Sequence, residues 1–223
     1  KCMEHSNLNG SEVDTVILGQ VLQAGCGQNP ARQAAINAGI DKDKTATTIN
    51  QVCGSGLAAV TLGFNSLKLN DSNIVIAGGQ ESMTNSPHYL NYRKEKNLSE
   101  KKLQDTMLID GLIDSYNNYH MGVTAENVAE KYQITRNDQD KFAINSQNKS
   151  IKAIKENRFK EEIVPVQLNG KKIFDKDEYP RTDTSLEKLA QLKTVFKENG
   201  TVTAGNASGL NDGAAAVTIM NGK

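Results

Sequence analysis

Short apolar segments alternate with helical patterns over the first third of the chain. Residues 13–18, 45–50 and 73–77 are apolar or β-branched and bounded by polar or glycine-rich stretches, which predicts buried strands. Residues 31–39 and 57–69 lie between them and predict helices. This alternation is typical of βαβ units, so the sequence predicts an α/β fold.

The pattern changes after the third predicted strand. Residues 85–199 are polar, charged and mostly helical in pattern, and Thr124 and Thr135 stand where helix N-caps are expected. Asp138 follows Thr135 at the spacing of a capping box. Strand character returns only at residues 214–220, after a glycine-rich stretch, so we expect a polar insertion between two strands of one sheet. The charged run at residues 93–102 is predicted to be solvated surface.

Composition excludes several classes of protein. The 26 basic side chains balance the 26 acidic ones, which argues against a nucleic-acid-binding protein. No apolar run is long enough for a transmembrane helix, so we expect a soluble protein without a membrane partner. Three cysteines without a CxxC pair or a metal-ligand spacing predict no metal site and favour a reducing compartment, by default the cytoplasm.

The strongest candidate for chemistry is Cys53, in the segment I-N-Q-V-C-G-S-G-L at residues 49–57. A β-branched run that leads into small residues and then a helix predicts a tight strand-to-helix turn. The sulfur would lie at a helix N-terminus, which favours the thiolate. Gly54 and Gly56 leave room for a substrate. The alternative is that Cys53 is a small buried apolar residue.

Several ordered segments resemble the thiolase family. Residues 49–57 resemble its nucleophile segment, and residues 201–215, T-V-T-A-G-N-A-S-G-L-N-D-G-A-A, are close to a family fingerprint. Further similar segments are G-Q-V-L-Q-A-G and G-Q-N-P-A-R within 19–32, A-G-G-Q-E-S-M at 77–83, Y-H-M-G with T-A-E-N within 119–127, and E-I-V-P at 162–165. The resemblance covers nearly the whole chain and identifies Cys53 as the nucleophile.

The resemblance implies a domain organisation. Residues 1–84 and 203–223 would form one layered α/β/α half, and residues 85–202 an inserted, mostly helical lid domain. The chain begins at Lys1 without a methionine, and we expect the opening strand and the second α/β half to lie outside it. The family also implies a homodimer or homotetramer, with the strand at 45–50 near the dimer seam.

The implied reaction is acetyl transfer through a cysteine thioester. Cys53 would accept an acetyl group from acetyl-CoA, and a second acetyl-CoA would attack it to give acetoacetyl-CoA, or the reverse thiolysis would occur. Cysteine suits this exchange because its thiolate is both a good nucleophile and a good leaving group. Coenzyme A is the co-substrate, and no other cofactor is implied.

The resemblance also implies residues that bind coenzyme A. Ala204 and Ser208 would lie along the pantetheine arm, Arg181 near the ADP part, and Leu112 and His120 along the tunnel. The small residues around Ala204 are compatible with the close approach of a ligand arm, although a tight turn before the last strand would also explain the glycines. Arg181 would otherwise be an ordinary surface arginine.

Met121 bears on the choice of substrate. A bulky thioether beside His120 would close the acyl pocket, which favours short-chain acetyl transfer, whereas the alternative is a core methionine of the lid helix. Two functional alternatives remain: a 3-ketoacyl-CoA thiolase of fatty-acid degradation and a non-catalytic CoA-binding fragment.

His120 is not predicted to be the base. The family's G-H-P, C-x-G and N-E-A-F motifs are absent from these 223 residues, so the chain alone is predicted to be inactive. A cysteine hydrolase is a further alternative, and it would need a His and an Asp beside Cys53.

Overall fold

The computed structural model of the protein describes residues 1–92, 102–168, 170 and 173–222. The predicted solvated run at 93–102 lies outside these residues, except for its last member. In chain order the elements are α1 (Cys2–His5), β1 (Thr15–Gly19), α2 (Pro30–Asn37), β2 (Thr45–Ile49), α3 (Ser55–Lys68), β3 (Ile74–Ser82), β4 (His88–Tyr89), β5 (Gln104–Asp105), a π-helical turn (Met107–Leu112), α4 (Met121–Tyr132), α5 (Arg136–Lys155), β6 (Val166–Gln167), β7 (Ile173–Phe174), α6 (Leu186–Ala190) and β8 (Asp212–Met220).

The chain divides into two compact units. Residues 1–113 and 210–223 form unit 1, and residues 114–209 form unit 2. The lid boundaries expected from the resemblance, 85 and 202, stay a prediction for the intact protein.

Unit 1 is built on a four-stranded mixed sheet in the order β2-β1-β3-β8. Strand β1 is parallel to β2 and β3, and β8 is antiparallel to β3. The register places Gly19 between Ile49 and Gly79, so the carboxyl ends of the three parallel strands meet at one edge.

Alternating side chains divide the core of unit 1 between the two faces of this sheet. Val16 and Leu18 pack with Ala31 and Ala35 of α2, whereas Ile17 packs with Ala59 of α3 on the other face. Because each face of the sheet buries one helix, the prediction of a layered α/β/α arrangement is confirmed.

The predicted end of β3 is wrong. Gly78 and Gly79 were expected to end the strand at Ala77, but β3 continues to Ser82. A Cβ at Gly78 would collide with the Ala215 carbonyl of β8, so this glycine permits close strand pairing instead of breaking the strand.

Unit 2 is mostly helical, with α4 and α5 as its long elements. The capping box at the start of α5 is confirmed, since the side chain of Thr135 accepts the N–H of Asp138 and that of Asp138 accepts the N–H of Thr135. The predicted cap at Thr124 is wrong. The helix begins earlier, at Met121, because the His120 side chain caps it. In the described ranges, no helix is long and apolar enough to cross a membrane.

Candidate active site

Cys53 lies in the turn between β2 and α3. The strand ends at Ile49 and the helix begins at Ser55, with Gly54 as its N-cap residue. The Cys53 side chain is exposed, so the alternative that it is a buried apolar residue is wrong. Cys53 therefore directly precedes the first turn of α3, where backbone N–H groups lack partners within the helix.

Two side chains hold this turn in place. The hydroxyl of Ser55 accepts the N–H of Gln51 at 2.8 Å and donates to the carbonyl of Val52 at 2.6 Å. The side-chain oxygen of Asn50 accepts the N–H of Val52 at 2.9 Å. Ser55 is buried, so the backbone on both sides of Cys53 is tied to a fixed point in the core.

The residue before Cys53 has an unusual backbone conformation. Val52 has a φ of 49°, in the left-handed region that a β-branched residue rarely adopts. Such conformations cost about 1–3 kcal/mol and persist where the surrounding structure imposes them. The hydrogen bonds of Ser55 and Asn50 therefore hold a strained turn that carries Cys53.

Glycines allow the start of α3 to rest directly on the sheet. A Cβ at Gly19 would lie 2.5 Å from the Ser55 Cβ and 2.8 Å from the Gly56 nitrogen. A Cβ at Gly79 would lie 3.6 Å from the Gly56 Cα. Cys53 is therefore held over the carboxyl ends of the parallel strands, which is where open α/β sheets bind ligands.

A cavity of about 280 Å³ adjoins Cys53 within unit 1. It is mostly apolar and is lined by Gly19, Gln20, Val21, Leu22, Val52, Cys53, Ser55, Gly56, Gln80, Glu81, Met83, Met107, Gly111 and Leu112. The structure therefore brings together two of the predicted site residues, Cys53 and Leu112. Among these lining residues, the ionisable side chains are Cys53 and Glu81.

Sequence reasoning missed the polar part of this lining. The Glu81 carboxylate accepts the N–H groups of Val21 at 2.9 Å and Leu22 at 3.1 Å. The Gln80 amide donates to Gln20 at 2.9 Å, and the Gln20 amide donates to the Leu22 carbonyl at 2.9 Å. A signal was available, because a partly buried glutamine and glutamate at the end of a buried strand need hydrogen-bond partners.

The other five predicted residues lie in unit 2. His120 is the N-cap of α4, and its Nδ1 accepts the N–H of Gly122 at 2.9 Å. Its ring stacks on Phe196 with centroids 4.7 Å apart and planes 18° apart. A Cβ at Gly122 would collide with this Phe196 ring. With Nδ1 occupied as an acceptor, neutral His120 carries its proton on Nε2 and presents a donor rather than a base.

Met121 and Arg181 are both exposed. Met121 is the first residue of α4 and keeps 38% of its surface accessible, so the alternative of a core methionine is wrong. Arg181 lies in a loop whose backbone is fixed, because its N–H donates to the Gln147 side chain at 2.9 Å. Its side chain is exposed, which is compatible with both predicted alternatives, a ligand of the ADP phosphates and an ordinary surface arginine.

Ala204 and Ser208 are exposed on a loop whose first residues are bonded to the buried side chain of Glu126. This carboxylate is only 3% exposed and accepts the N–H groups of Thr201 and Val202 as well as the Thr201 hydroxyl. Burial raises the pKa of Glu126, but the bonds from Val202 and Thr201 outweigh it and hold the pKa below the ordinary 4.5.

Asn206 fixes the same loop from within. Its side-chain oxygen accepts the N–H of Thr203 at 2.8 Å, and its amide donates to the buried carboxylate of Asp140 at 3.0 Å. Asp140 in turn is paired with Arg136 at 2.8 Å. Neither Glu126 nor Asp140 was predicted, since a single acidic residue on a helix normally indicates a solvated face.

The part of the chain that the structure describes contains no candidate metal site. No group of three or more His, Cys, Asp or Glu side chains there could hold a metal ion.

Comparisons with known proteins point to one family. All of residues 1–223 match the family model described as thiolase, N-terminal domain. The chain is 51% identical over 226 residues to an acetyl-CoA acetyltransferase of Pseudomonas aeruginosa, covering 99% of this chain and 58% of that relative. It is 53% identical over 224 residues to one of Cupriavidus necator, covering 98% and 57%.

Solved structures agree with these matches. An acetyl-CoA acetyltransferase of Bacillus anthracis superposes with a TM-score of 0.92 at 40% identity, covering 98% of this chain and 57% of that one. Acat5 thiolase from Ascaris suum, solved in complex with coenzyme A, also gives 0.92 at 38% identity, covering 99% and 57%. The chain therefore spans somewhat more than half the length of the proteins it matches.

Proposed function

The chain belongs to the thiolase family, and from this we propose that the intact protein transfers acetyl groups between thiols through a thioester at Cys53. The single observation that supports this most is the position of Cys53, exposed at a strained strand-to-helix turn beside a small apolar cavity. The substrates would be two molecules of acetyl-CoA, or acetoacetyl-CoA and CoA in the reverse direction.

The proposed chemistry proceeds in two balanced steps. The Cys53 thiolate attacks the acetyl carbonyl, the bond from that carbon to the CoA sulfur breaks, and the CoA thiolate leaves and takes a proton. A second acetyl-CoA loses a proton from its methyl group, and this carbon attacks the Cys53 thioester, forming a C–C bond and releasing the thiolate. Both proton transfers require acids and bases. Cys53 and Glu81 are the only ionisable side chains among these lining residues.

The cavity favours a short acyl group. Its volume of about 280 Å³ is small for a ligand cavity, and Met83, Met107 and Leu112 contribute bulky apolar side chains to it. This supports acetyl transfer over the alternative of long-chain 3-ketoacyl-CoA cleavage. A cysteine hydrolase is not supported, because no His or Asp is among the lining residues.

We propose that exposed loop residues of unit 2 bind coenzyme A. Ala204 and Ser208 are exposed on the loop anchored by Glu126 and Asn206, which gives a rigid surface for a pantetheine arm. The Nε2 of His120 would donate a hydrogen bond to the ligand, and Arg181 would meet the ADP phosphates. The complex of the Ascaris suum relative with coenzyme A supports this choice of ligand.

We further propose a homodimer or homotetramer. Strand β2 is an edge strand of the sheet and is available for pairing with a second copy. Analytical ultracentrifugation of the intact protein tests this, and a monomer at micromolar concentration would contradict it.

The reaction is tested with the full-length protein and acetoacetyl-CoA thiolysis. Cys53→Ala should abolish turnover, whereas Cys26→Ser, which changes another exposed cysteine of unit 1, should retain it. If the wild-type protein releases acetate from acetyl-CoA instead of exchanging it with CoA, the protein is a hydrolase and the proposal fails.

A further inference from the structure

Glu81 is the ionisable side chain that shares the cavity lining with Cys53, and its carboxylate is bonded to the backbone of a neighbouring loop. Each carboxylate oxygen accepts one backbone N–H, from Val21 and from Leu22. Two hydrogen bonds from successive backbone N–H groups make this carboxylate a strong anchor for the chain that donates to it.

The Glu81 carboxylate bonds to the loop that follows β1. Among the described residues, Glu81 has no Lys, Arg or His within ion-pair distance. The loop after β1 is also held by Gln20, whose amide oxygen accepts from the Gln80 amide and whose amide nitrogen donates to the Leu22 carbonyl. Leu22 is therefore fixed at both its N–H and its C=O by side chains of the cavity lining.

Because its backbone is fixed, the side chain of Leu22 is a fixed part of the apolar cavity wall. It is 6% exposed and lines the cavity. A Cβ at Gly111 would lie 3.8 Å from the Leu22 Cδ2, so the leucine side chain meets the π-helical turn that contributes Gly111 and Leu112 to the same lining. A shift of the Leu22 backbone would move this contact and change the width of the cavity.

We propose that Glu81 is a positioning residue that limits the size of the group reaching Cys53, by holding Leu22 in the cavity wall. That this group is an acyl chain rests on the proposed function. The size limit itself is a property of the cavity and does not depend on coenzyme A chemistry.

The chemistry of the anchor determines which substitutions test it. In Glu81→Gln one oxygen becomes an NH₂ group, which faces a backbone N–H and cannot accept from it, so one of the two bonds is lost. Glu81→Asp keeps both acceptors and the charge but is one methylene shorter. Glu12→Gln is a matched control, since the Glu12 carboxylate also accepts a backbone N–H, that of Asn9 at 2.8 Å, on the exposed surface of unit 1.

The experiment measures alkylation rates at Cys53 in the full-length protein. Iodoacetamide is the small reagent and an N-benzylmaleimide is the bulky one, and peptide mass spectrometry gives the rate at Cys53 for each. Glu81→Gln should raise the bulky-to-small rate ratio about tenfold, Glu81→Asp should raise it less, and Glu12→Gln should leave it unchanged. In parallel, the ratio of kcat/KM for 3-ketohexanoyl-CoA over acetoacetyl-CoA should rise with the alkylation ratio.

A second variant keeps the test decisive if Glu81→Gln does not fold. Leu22→Val shortens the wall directly and should raise the same ratio. An unchanged ratio in Leu22→Val or in folded Glu81→Gln would overturn the proposal, as would equal slowing with both reagents. If the wild-type protein shows no thiolysis but the alkylation ratios respond as expected, the function assigned to Cys53 is wrong and the positioning role of Glu81 stands.

Discussion

Gly19 lies directly beneath Ser55, so closely that a Cβ on the glycine would be 2.5 Å from the serine Cβ. This approach links the end of β1 to the first residue of α3, and Cys53 stands two residues before that serine. Cys53 is therefore positioned by the absence of a side chain at Gly19 on the neighbouring strand.

Gly19→Ala should destabilise the protein by about 2 kcal/mol or more, because the added methyl meets backbone and Cβ atoms that cannot move independently. Urea denaturation of the intact protein measures this. Gly56→Ala is the control, since a Cβ there meets nothing within 4 Å and alanine favours the helix. Equal stability of Gly19→Ala and wild type would show that the contact is not tight.

Val52→Asn should stabilise the fold by about 1 kcal/mol, since asparagine tolerates the left-handed conformation that strains valine. The control is Val128→Asn, also exposed but in the helical backbone of α4, which should be neutral or slightly destabilising. Denaturant midpoints of the two variants provide the comparison. A loss of stability in Val52→Asn would mean that the valine side chain contributes packing that outweighs the strain.

Glu126→Gln should destabilise the protein at neutral pH and weaken the dependence of its stability on acid. The pKa of Glu126 is lowered in the folded state, so its contribution is present above the ordinary pKa and is lost as pH falls through the folded value. We expect a loss of about 1–3 kcal/mol near neutral pH and a smaller difference from wild type below about pH 4.

The matched control for Glu126 is Glu130→Gln on the same helix. Glu130 is exposed and pairs with Lys197, so its removal should change stability little and only at low salt. A difference between wild type and Glu126→Gln that grows on acidification would contradict the assignment.

The sequence predicts the strands and helices of unit 1 well because hydrophobic periodicity reports burial directly. Val16 and Ile17 show how alternation separates the two faces of the sheet. Gly78 shows the limit, because a glycine that ends a strand and one that permits close pairing look the same until the partner strand is known. The N-cap of α4 was missed for a similar reason, since His120 is a rare cap and Thr124 a common one.

The candidate site could be predicted only in part. Cys53 and Leu112 were identified through the family resemblance, and the structure places both at one cavity. Glu81 and Glu126 were not identified, because their partners are backbone N–H groups about 60 and 75 residues away, and backbone donors carry no sequence signature.

Met121→Ala in the full-length protein should raise kcat/KM for a longer 3-ketoacyl-CoA relative to acetoacetyl-CoA by about tenfold, if the thioether closes the acyl pocket. Met220→Ala is the control, a methionine of similar exposure on β8 to which no role in substrate binding is assigned. The ratio of the two substrates is the measurement. An unchanged ratio would limit Met121 to a role in the structure of unit 2.

A covalent acetyl group on Cys53 is the direct consequence of the proposed reaction. The full-length protein is mixed with acetyl-CoA, quenched in acid and digested, and the acetylated peptide is identified by mass spectrometry. We expect one acetyl group on the peptide that contains Cys53, removable by added CoA, with Cys2 and Cys26 unmodified. Acetylation at another residue, or thiolysis that persists in Cys53→Ala, would contradict it.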